Sequence, residues 1–287
     1  MSDAPSFLRH GSARASERNA AWLSGTIACQ SIAQVSKGEP WRLLLLHDRP
    51  THALIWITRG QGRVILNGVR RGVGAHNALV IPAGTLFSLE LGPQALGQVI
   101  ESPAGLTGRM PRDPMHLRVR DALAQAELTA ELEAMQREIS QNRPLVQEAL
   151  TARLGLISVW VQRQFGAGSA DTPRETAGQR LARRFSERVA REFRSDKAMG
   201  AYAEDLEVTP THLTRICREC CGKTAADILT ERRVYEARLL LSQPGPAIKD
   251  VARHLGFHSA AYFTRFMQQH TGLTPTLLRR NAQSRSR

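Results

Sequence analysis

The stretch that most constrains the fold of this chain lies at residues 250–275, near the C-terminus. Apolar residues recur there at the spacing of one helix face, namely Val251, Ala252 and Leu255. Gly256 follows, and glycine readily adopts the left-handed conformation that ends a helix and turns the chain. Ser259 is a typical N-cap for a second helix, which Gly272 would end. Two short helices joined by a tight glycine turn predict a helix-turn-helix motif.

A second copy of this pattern lies about 50 residues earlier in the chain. Thr209 stands in an N-cap position, and Pro210 follows it, where the missing N–H group costs nothing. Gly222 predicts the end of that helix. Between the two copies, residues 225–242 predict one long helix. A single helix-turn-helix pattern is a weak signal, but two copies joined by one helix are a strong signal.

These segments closely resemble the DNA-binding domain of the AraC/XylS transcription regulators, over residues 176–281. The residues that carry the resemblance are Arg233, Ala237, Leu240, Leu241, Val251, Ala252, Gly256, Phe257, Tyr262, Phe263, Arg265, Phe266, Gly272, Thr274 and Pro275. Two positions depart from the family pattern. Leu278 replaces the usual tyrosine, and Glu207 stands where a turn glycine is common. We therefore expect a strained or altered turn in the first copy.

The distribution of charge favours a nucleic-acid partner. The chain has a formal net charge of +13. Residues 172–287 hold 21 Lys and Arg against 12 Asp and Glu, whereas residues 1–171 hold 18 against 14. The excess of positive charge therefore lies beside the helix-turn-helix pair, where phosphate neutralisation requires it. The alternative is that basic charge only aids solubility.

The resemblance implies which residues would contact double-stranded DNA. The implied base-reading positions are Thr211, Thr214, Arg215, Ala260, Ala261, Thr264 and Arg265. Helix caps and the turn after the first recognition helix predict phosphate contacts at Thr209, Lys223, Thr224 and Ser259. An arginine can bind O6 and N7 of guanine together, although each arginine here could instead contact phosphate or form an intrahelical ion pair. One subunit would read two adjacent major grooves, about 34 Å apart.

The preceding part of the chain changes to short β-type runs, from about residue 22 to residue 102. These runs are residues 42–47, 52–58, 62–66, 78–81 and 85–91. Asn67-Gly68 between two of them predicts a hairpin, because both residues tolerate positive φ. The layout predicts a small sandwich or barrel, and it resembles the cupin-type effector domain of the same regulator family. We therefore expect an α+β fold of two domains, with an N-terminal cupin-like β-barrel and following helices before an all-α C-terminal domain.

A barrel of this size can enclose one small effector. The candidate contacts are Arg42, His47, His52, Trp56 and Arg59, and they suit an aromatic or carboxylated ligand. Each of them could instead belong to the core or to the solvated surface. The β-type segment lacks the set of histidines and the glutamate that a cupin metal site needs. We therefore expect no metal, no cofactor and no enzymatic activity. The alternatives are a DNA-binding regulator whose barrel is only structural or dimeric and, less favoured, a cupin enzyme.

The boundaries follow from composition. We predict an effector-binding barrel at residues 1–110 that begins with a flexible arm, a helical segment at 111–165, a Gly/Ser/Pro linker at 166–175 and a DNA-binding domain at 176–287. The terminal residues 281–287 are expected to be disordered. The resemblance implies a homodimer formed by the helical segment and, in an activator, contact with RNA polymerase. Packing of those helices on the barrel is the alternative.

Two negative expectations complete this description. The polar N-terminus and the shortness of every apolar run predict a soluble, cytoplasmic protein without a membrane partner. The spacing of Cys217 and Cys220 allows a zinc or redox site, but both would lie on the recognition helix without further ligands nearby. Cys217 falls on a family position that is usually a core Phe, so we expect it to be a buried apolar residue.

Overall fold

The computed structural model describes residues 26–106, 110–170, 175–243 and 245–285. It shows an α+β chain, with β-sheets in its first half and helices alone in its second half. We refer to the described residues up to 170 as the N-terminal domain and to those from 175 as the C-terminal domain. The prediction of a two-domain α+β fold is confirmed. Within the described ranges no helix has the length and apolar content that crossing a bilayer requires.

The N-terminal domain contains two antiparallel sheets. Its described strands are β1 Ala28–Ser31, β2 Thr51–Arg59, β3 Gln61–Leu66, β4 Val69–Gly74, β5 Asn77–Ile81, β6 Phe87–Leu91, β7 Leu96–Pro103 and β8 Met115–Arg118. One sheet has the order β1-β7-β2-β5-β8, and the other has the order β4-β3-β6. The described strands thus pair within two sheets and not in one closed ring, so the prediction of a barrel is not confirmed.

The alternation of side chains along β2 shows what each face of the larger sheet covers. Ile55 and Ile57 pack against the smaller sheet, together with Val64 and Leu89. Trp56 points the other way and packs against helices that follow the strands. The sequence predicted that Trp56 would line an enclosed ligand site. In the structure both faces of this sheet are covered, and Trp56 lies fully buried on the helix-covered face.

The segment at residues 42–47 is not the strand that its apolar run predicted. A short helix, α1 Ile32–Ser36, is followed there by a second, α2 Trp41–Leu44. Only His47 makes a β-type contact, a single antiparallel bridge to Phe87. A short apolar run does not distinguish helix from strand, and here the four residues after Pro40 form a helix.

Two long helices, α3 Ala122–Gln141 and α4 Val146–Gly166, cover the outer face of the larger sheet. The inward face of α4 is fully buried, and its residues are Leu150, Leu154, Ile157 and Val161. The predicted helical segment at 111–165 begins later than expected, because Leu117 belongs to strand β8, and Leu123 and Ile139 of α3 are exposed.

The C-terminal domain has the two predicted helix-turn-helix motifs. Its helices are α5 Ala177–Glu192, α6 Met199–Glu204, α7 Pro210–Cys221, α8 Ala225–Ser242, α9 Ile248–His254, α10 Ala260–Thr271 and α11 Pro275–Arg285. The connecting helix α8 has the predicted bounds. Residues 281–285 belong to α11, so the prediction of a disordered tail is wrong there. The N-terminal arm and linker residues 171–174 lie outside the described residues.

The two domains share one apolar cluster. Leu46, Ile65 and Leu86 of the N-terminal domain belong to the same cluster as Phe185 and Leu213 of the C-terminal domain. We call this contact surface the interdomain seam; it joins residues 41–50 and the β3–β4 hairpin to helices α5, α7 and α8. Burial of apolar surface there stabilises the docked arrangement.

Two glycines that end helices in the second motif allow a matched test of the turn. Gly256 has a φ of 76°, and a Cβ atom there would lie 2.4 Å from the carbonyl oxygen of Arg194. Gly272 has a φ of 72° with no atom within 4 Å of that position. We expect Gly272→Ala to lower the free energy of unfolding by about 1–2 kcal/mol, the cost of a left-handed L-residue. Gly256→Ala should lower it further, because the backbone of Arg194 must move.

Urea denaturation of both full-length variants measures this difference. Equal losses of stability would show that the approach to Arg194 does not constrain the turn.

Candidate nucleic-acid interface and interdomain cavity

The first recognition helix, α7, presents a polar outer face. Its start is fixed by Thr209, whose hydroxyl accepts a hydrogen bond from the backbone N–H of His212 at 3.2 Å. Thr211 and Arg215 are exposed, and Thr214 is half-buried. Arg215 Nη1 lies 2.5 Å from Glu219 Oε1, and its Nη2 lies 3.3 Å from His212 Nδ1. The guanidinium of Arg215 is therefore held along the helix surface, which matches the ion-pair alternative that the sequence left open.

The second recognition helix, α10, presents a smaller and less polar face. Ser259 caps it by accepting from the backbone N–H of Tyr262 at 3.1 Å. Ala260, Ala261 and Arg265 are exposed. Thr264 is half-buried, and its hydroxyl donates to the carbonyl oxygen of Ala260 at 2.8 Å. Among the described residues no acidic side chain pairs with Arg265, so its guanidinium is available to a partner.

Sequence reasoning did not assign Tyr262 to the interface. The residue is 57% exposed and follows the two small residues Ala260 and Ala261. It contacts Phe257, with ring centroids 5.9 Å apart, and is thereby supported at the start of α10. The signal was present in the sequence, because Tyr262 directly follows Ala260 and Ala261, two positions assigned to base reading.

The turns of the two motifs differ as the sequence predicted. Gly256 turns the second motif, whereas Glu207 turns the first with a φ of 59°. A left-handed conformation costs a residue with a Cβ atom about 1–2 kcal/mol. The expectation of a strained turn in the first motif is met by this backbone geometry.

The four predicted phosphate contacts do not occupy equivalent places. Thr209 and Ser259 lie exposed at the N-terminal ends of the recognition helices, where backbone N–H groups point outward. Thr224 caps α8 in a reciprocal pair of hydrogen bonds with Asp227. Lys223 is ion-paired with Glu231, which also accepts from the backbone N–H of Leu46 at 3.2 Å. Lys223 therefore lies next to the interdomain seam.

The predicted effector residues are not gathered in one place. Arg42 pairs with Glu39 at 2.7 Å and lines a cavity. His52 bonds the backbone near residues 83 and 104, and Arg59 is exposed at the end of its strand. Trp56 donates to Thr129 Oγ1 at 3.2 Å on the helix-covered face. The five residues therefore do not form one binding site.

His47 lies at the interdomain seam and is fully buried. Its ring stacks on Tyr235 of α8 at 4.2 Å with an interplanar angle of 9°. Burial, reinforced by the neighbouring Arg49 cation, holds the pKa of His47 well below its usual value. The ring is therefore neutral at physiological pH and acts as a packing surface between the domains.

A cavity of about 390 Å³ opens at the same seam. Both domains line it, with Lys37, Arg42 and Arg49 on one side and Arg232, Tyr235 and Leu239 of α8 on the other. Its volume falls within the range of about 300–1,000 Å³ that small-molecule sites occupy. Sequence reasoning missed it because its two walls come from segments almost 200 residues apart.

One cation in the lining of this cavity has no carboxylate partner. The three carboxylates of its lining are paired with arginines: Asp48 with Arg232, Glu101 with Arg49, and Glu236 with Arg194 and Arg232. No carboxylate in the described ranges lies within ion-pair distance of Lys37. Burial and the Arg42 cation lower the pKa of Lys37, and the Glu39 carboxylate opposes them only in part.

The buried ion pair of Arg232 joins the domains. Its side chain is 3% exposed, and its Nε lies 2.5 Å from Asp48 Oδ1. Its Nη1 lies 3.0 Å from Glu236 Oε2 on the same helix, and its guanidinium lies 3.7 Å from the centre of the Phe193 ring. Although burial acts against the charged form, Glu236 and Asp48 raise the pKa of Arg232. Asp48 therefore supplies, from the other domain, a second carboxylate for a cation that Glu236 already pairs with on α8.

Comparison with known proteins agrees with this geometry. Residues 202–281 match the family described as "Helix-turn-helix domain". They form an AraC-type helix-turn-helix domain. Curated relatives include the probable transcription factor PqrA of Proteus vulgaris, 37% identical over 70 residues, which cover 24% of this chain and 57% of PqrA. The transcriptional activator RhaR of Escherichia coli K12 is 24% identical over 142 residues, half of each chain. The chain thus spans about half the length of these curated relatives.

Solved structures with similar chains have low overall scores. ToxT of Vibrio cholerae, solved with an unsaturated fatty acid, has a TM-score of 0.40 and 12% identity, with 82% of this chain and 88% of ToxT covered. The C-terminal domain of AraT from Geobacillus stearothermophilus has a TM-score of 0.34 and 27% identity, with 38% of this chain and 88% of that domain covered.

The cysteines pack as apolar residues, as Cys217 was predicted to do. Cys217 is fully buried, and Cys221 donates to its carbonyl oxygen at 3.2 Å. Burial raises the pKa of the Cys217 thiol to about 12, and the same cause raises the pKa of Cys29 to about 12. Within the described ranges no group of three metal-ligating side chains occurs.

We therefore expect alkylation by iodoacetamide at pH 8 to label Cys220 first, because it is only half-buried. Cys29 and Cys217 should react only after unfolding, since a thiol with a pKa far above the solution pH supplies almost no thiolate. Mass spectrometry of labelled peptides measures the order. Fast labelling of Cys217 in the native protein would contradict its assignment to the core.

Proposed function

We propose that this protein is a transcription regulator that binds double-stranded DNA through two helix-turn-helix motifs. The proposal rests on the observation that the two motifs are constructed in the same way. Each recognition helix begins at a hydroxyl N-cap and ends at a left-handed glycine, and one 18-residue helix joins the two motifs. A recognition helix offers the outer residues of its first turns to base edges. The net charge of +13 favours phosphate contact as well.

Specific roles follow from exposure. We propose that the base-reading residues are Thr211, Thr214, Arg215, Ala260, Ala261, Thr264 and Arg265, and that Tyr262 adds an aromatic contact. We propose phosphate contacts at Thr209, Ser259, Thr224 and Lys223. Arg265 is the strongest candidate for a bidentate guanine contact, because it has no described counter-ion. Arg215 must exchange its bond to Glu219 for any contact with a base.

We propose a small-molecule effector, and we place it in the cavity at the interdomain seam. The support is the cavity's size and the unpaired Lys37 on its wall. An acidic group beside Lys37 and Arg42 would complete the charge pairing, and the ring of Tyr235 suits an aromatic or apolar body. Of the residues predicted from sequence, Arg42 belongs to this site and His47 supports it from behind. We also propose that the two sheets of the N-terminal domain form a cupin-like fold.

The proposal also includes assembly and location. Large apolar side chains are exposed on α3 and α4 and at their ends, namely Leu123, Leu145, Leu156 and Phe165. Such a surface suits a homodimer formed by the segment at residues 111–165. We propose four segments, namely an effector domain at 1–110, a helical segment at 111–165, a linker at 166–175 and a DNA-binding domain at 176–287. We also propose that the protein activates transcription through RNA polymerase and has no enzymatic activity. It would act in the cytoplasm, where bacterial DNA lies.

Selection of random duplex DNA by the purified protein tests DNA reading. We expect enrichment of two short boxes about one helical turn apart. Arg265→Ala should relax the preference at one position of the second box, at a cost of about 1–3 kcal/mol for the lost guanine contact. The matched control is Arg253→Ala, an exposed arginine on α9 that pairs with Asp250.

Three outcomes would count against these assignments. Unchanged specificity in Arg265→Ala would make Arg265 a phosphate contact. An equal effect of Arg253→Ala would remove the distinction between the two arginines. Binding without any enriched box, lost steadily as salt rises, would leave only a non-specific basic protein.

Thermal-shift titration with a panel of small organic acids and their methyl esters tests the effector site. An acid that fits should stabilise the folded protein by about 2.7 kcal/mol at one hundred times its Kd. The ester should not, because it lacks the charge that pairs with Lys37. Lys37→Met should abolish the difference between acid and ester, whereas Lys249→Met, an exposed lysine on α9, should leave it unchanged. No stabilising compound in the panel would favour a regulator without an effector.

A further inference from the structure

The interdomain seam has a first point of contact at the β3–β4 hairpin. The turn residues Asn67 and Gly68 have φ values of 45° and 75°, and both are buried. A Cβ atom on Gly68 would lie 2.7 Å from Ser186 Oγ and 2.8 Å from the carbonyl oxygen of Ala182. The hairpin turn is thus pressed directly against helix α5. Only a residue without a side chain allows this approach.

The second point of contact lies on α8. Asp48 reaches the buried Arg232, and the backbone N–H of Leu46 donates to Glu231. Tyr235, one turn further on from Glu231, stacks against His47 and meets the edge of Trp41, whose ring centre lies 5.4 Å away. These contacts fix one face of α8 to the N-terminal domain.

Both points of contact act on the first helix-turn-helix motif. Helices α5 and α8 pack against its recognition helix α7, and strand β4 approaches α7 directly. Arg70 on that strand comes within 3.0 Å of the position that a Cβ on Gly222 would occupy, at the end of α7. The second motif approaches the seam at His270, with no described hydrogen bond or ion pair across it.

We propose that the N-terminal domain controls DNA binding through the first helix-turn-helix motif, by holding α5 and α8 in the arrangement that lets α7 read DNA. This inference rests on the proposed function. Thr211 and Arg215 are exposed in the docked protein, so docking supports α7 without covering its reading face. Leu46, Ile65 and Leu86 share one apolar core with residues of both motifs, and strand β4 packs against α5 and α7. Undocking would expose this part of the core and loosen the first motif.

Asp48→Asn in the full-length protein separates docking from folding. It removes the charge that reaches across the seam, while Arg232 keeps its ion pair with Glu236 on the same helix. The matched control is Glu133→Gln, which removes one negative charge from an exposed pair with Arg137 on α3, far from the seam in the fold. Amide hydrogen exchange is measured first, without DNA. We expect faster exchange in α5 and α8 for Asp48→Asn and unchanged exchange for Glu133→Gln.

DNA binding is then measured on duplexes that carry both selected boxes, or one box with the other scrambled. Loss of binding in Arg215→Ala and in Arg265→Ala identifies the box that each motif reads. We expect Asp48→Asn to weaken binding about fivefold or more, the lower end of typical coupling between sites. The loss should persist when the second box is scrambled and vanish when the first box is scrambled. Glu133→Gln should bind as the unaltered protein does.

Four results would overturn the inference. They are unchanged exchange in Asp48→Asn, faster exchange with unchanged affinity, tighter binding, and a loss that persists when the first box is scrambled. Failure to select any box would instead overturn the regulator proposal itself. The exchange measurement distinguishes the two cases, because it reports docking without reference to DNA.

Discussion

The arrangement of the two domains depends on one buried cation. Arg232 is almost inaccessible to solvent, and a buried charge that loses a partner costs several kcal/mol. Glu236 supplies part of the compensation from the same helix, and Asp48 supplies the rest from the other domain. The ring of Phe193 covers the guanidinium. The position of residues 41–50 against α8 follows from this pairing, and so does the cavity that lies between them.

The same helix serves two purposes. On one side α8 joins the helix-turn-helix motifs, and on the other it forms a wall of the cavity and of the interdomain seam. A ligand in the cavity would therefore touch the element that sets the spacing of the recognition helices. Any ligand that contacts both domains favours the docked arrangement by its differential affinity for that arrangement. No change of shape needs to travel through the N-terminal sheets.

The helical half was predictable from sequence because its signals are local. The caps Thr209 and Ser259 and the end glycines Gly222 and Gly272 mark the recognition helices within a few residues of each boundary. The cavity was not predictable, because Lys37 and Tyr235 meet only through docking. The layer that covers Trp56 was not predictable for a related reason: alternation shows that it shares a face with Leu54, but not which layer covers that face.

Because Glu207 adopts a left-handed conformation, the first motif should be less stable to heating than the second. The first motif carries this local strain and its helix α7 packs against strand β4 of the other domain, whereas the second motif turns at Gly256. Segments with less local stability open at lower free energy than the rest of a protein. Warming would therefore open the first motif while the second is still folded, so the two proposed recognition helices would lose their order at different temperatures.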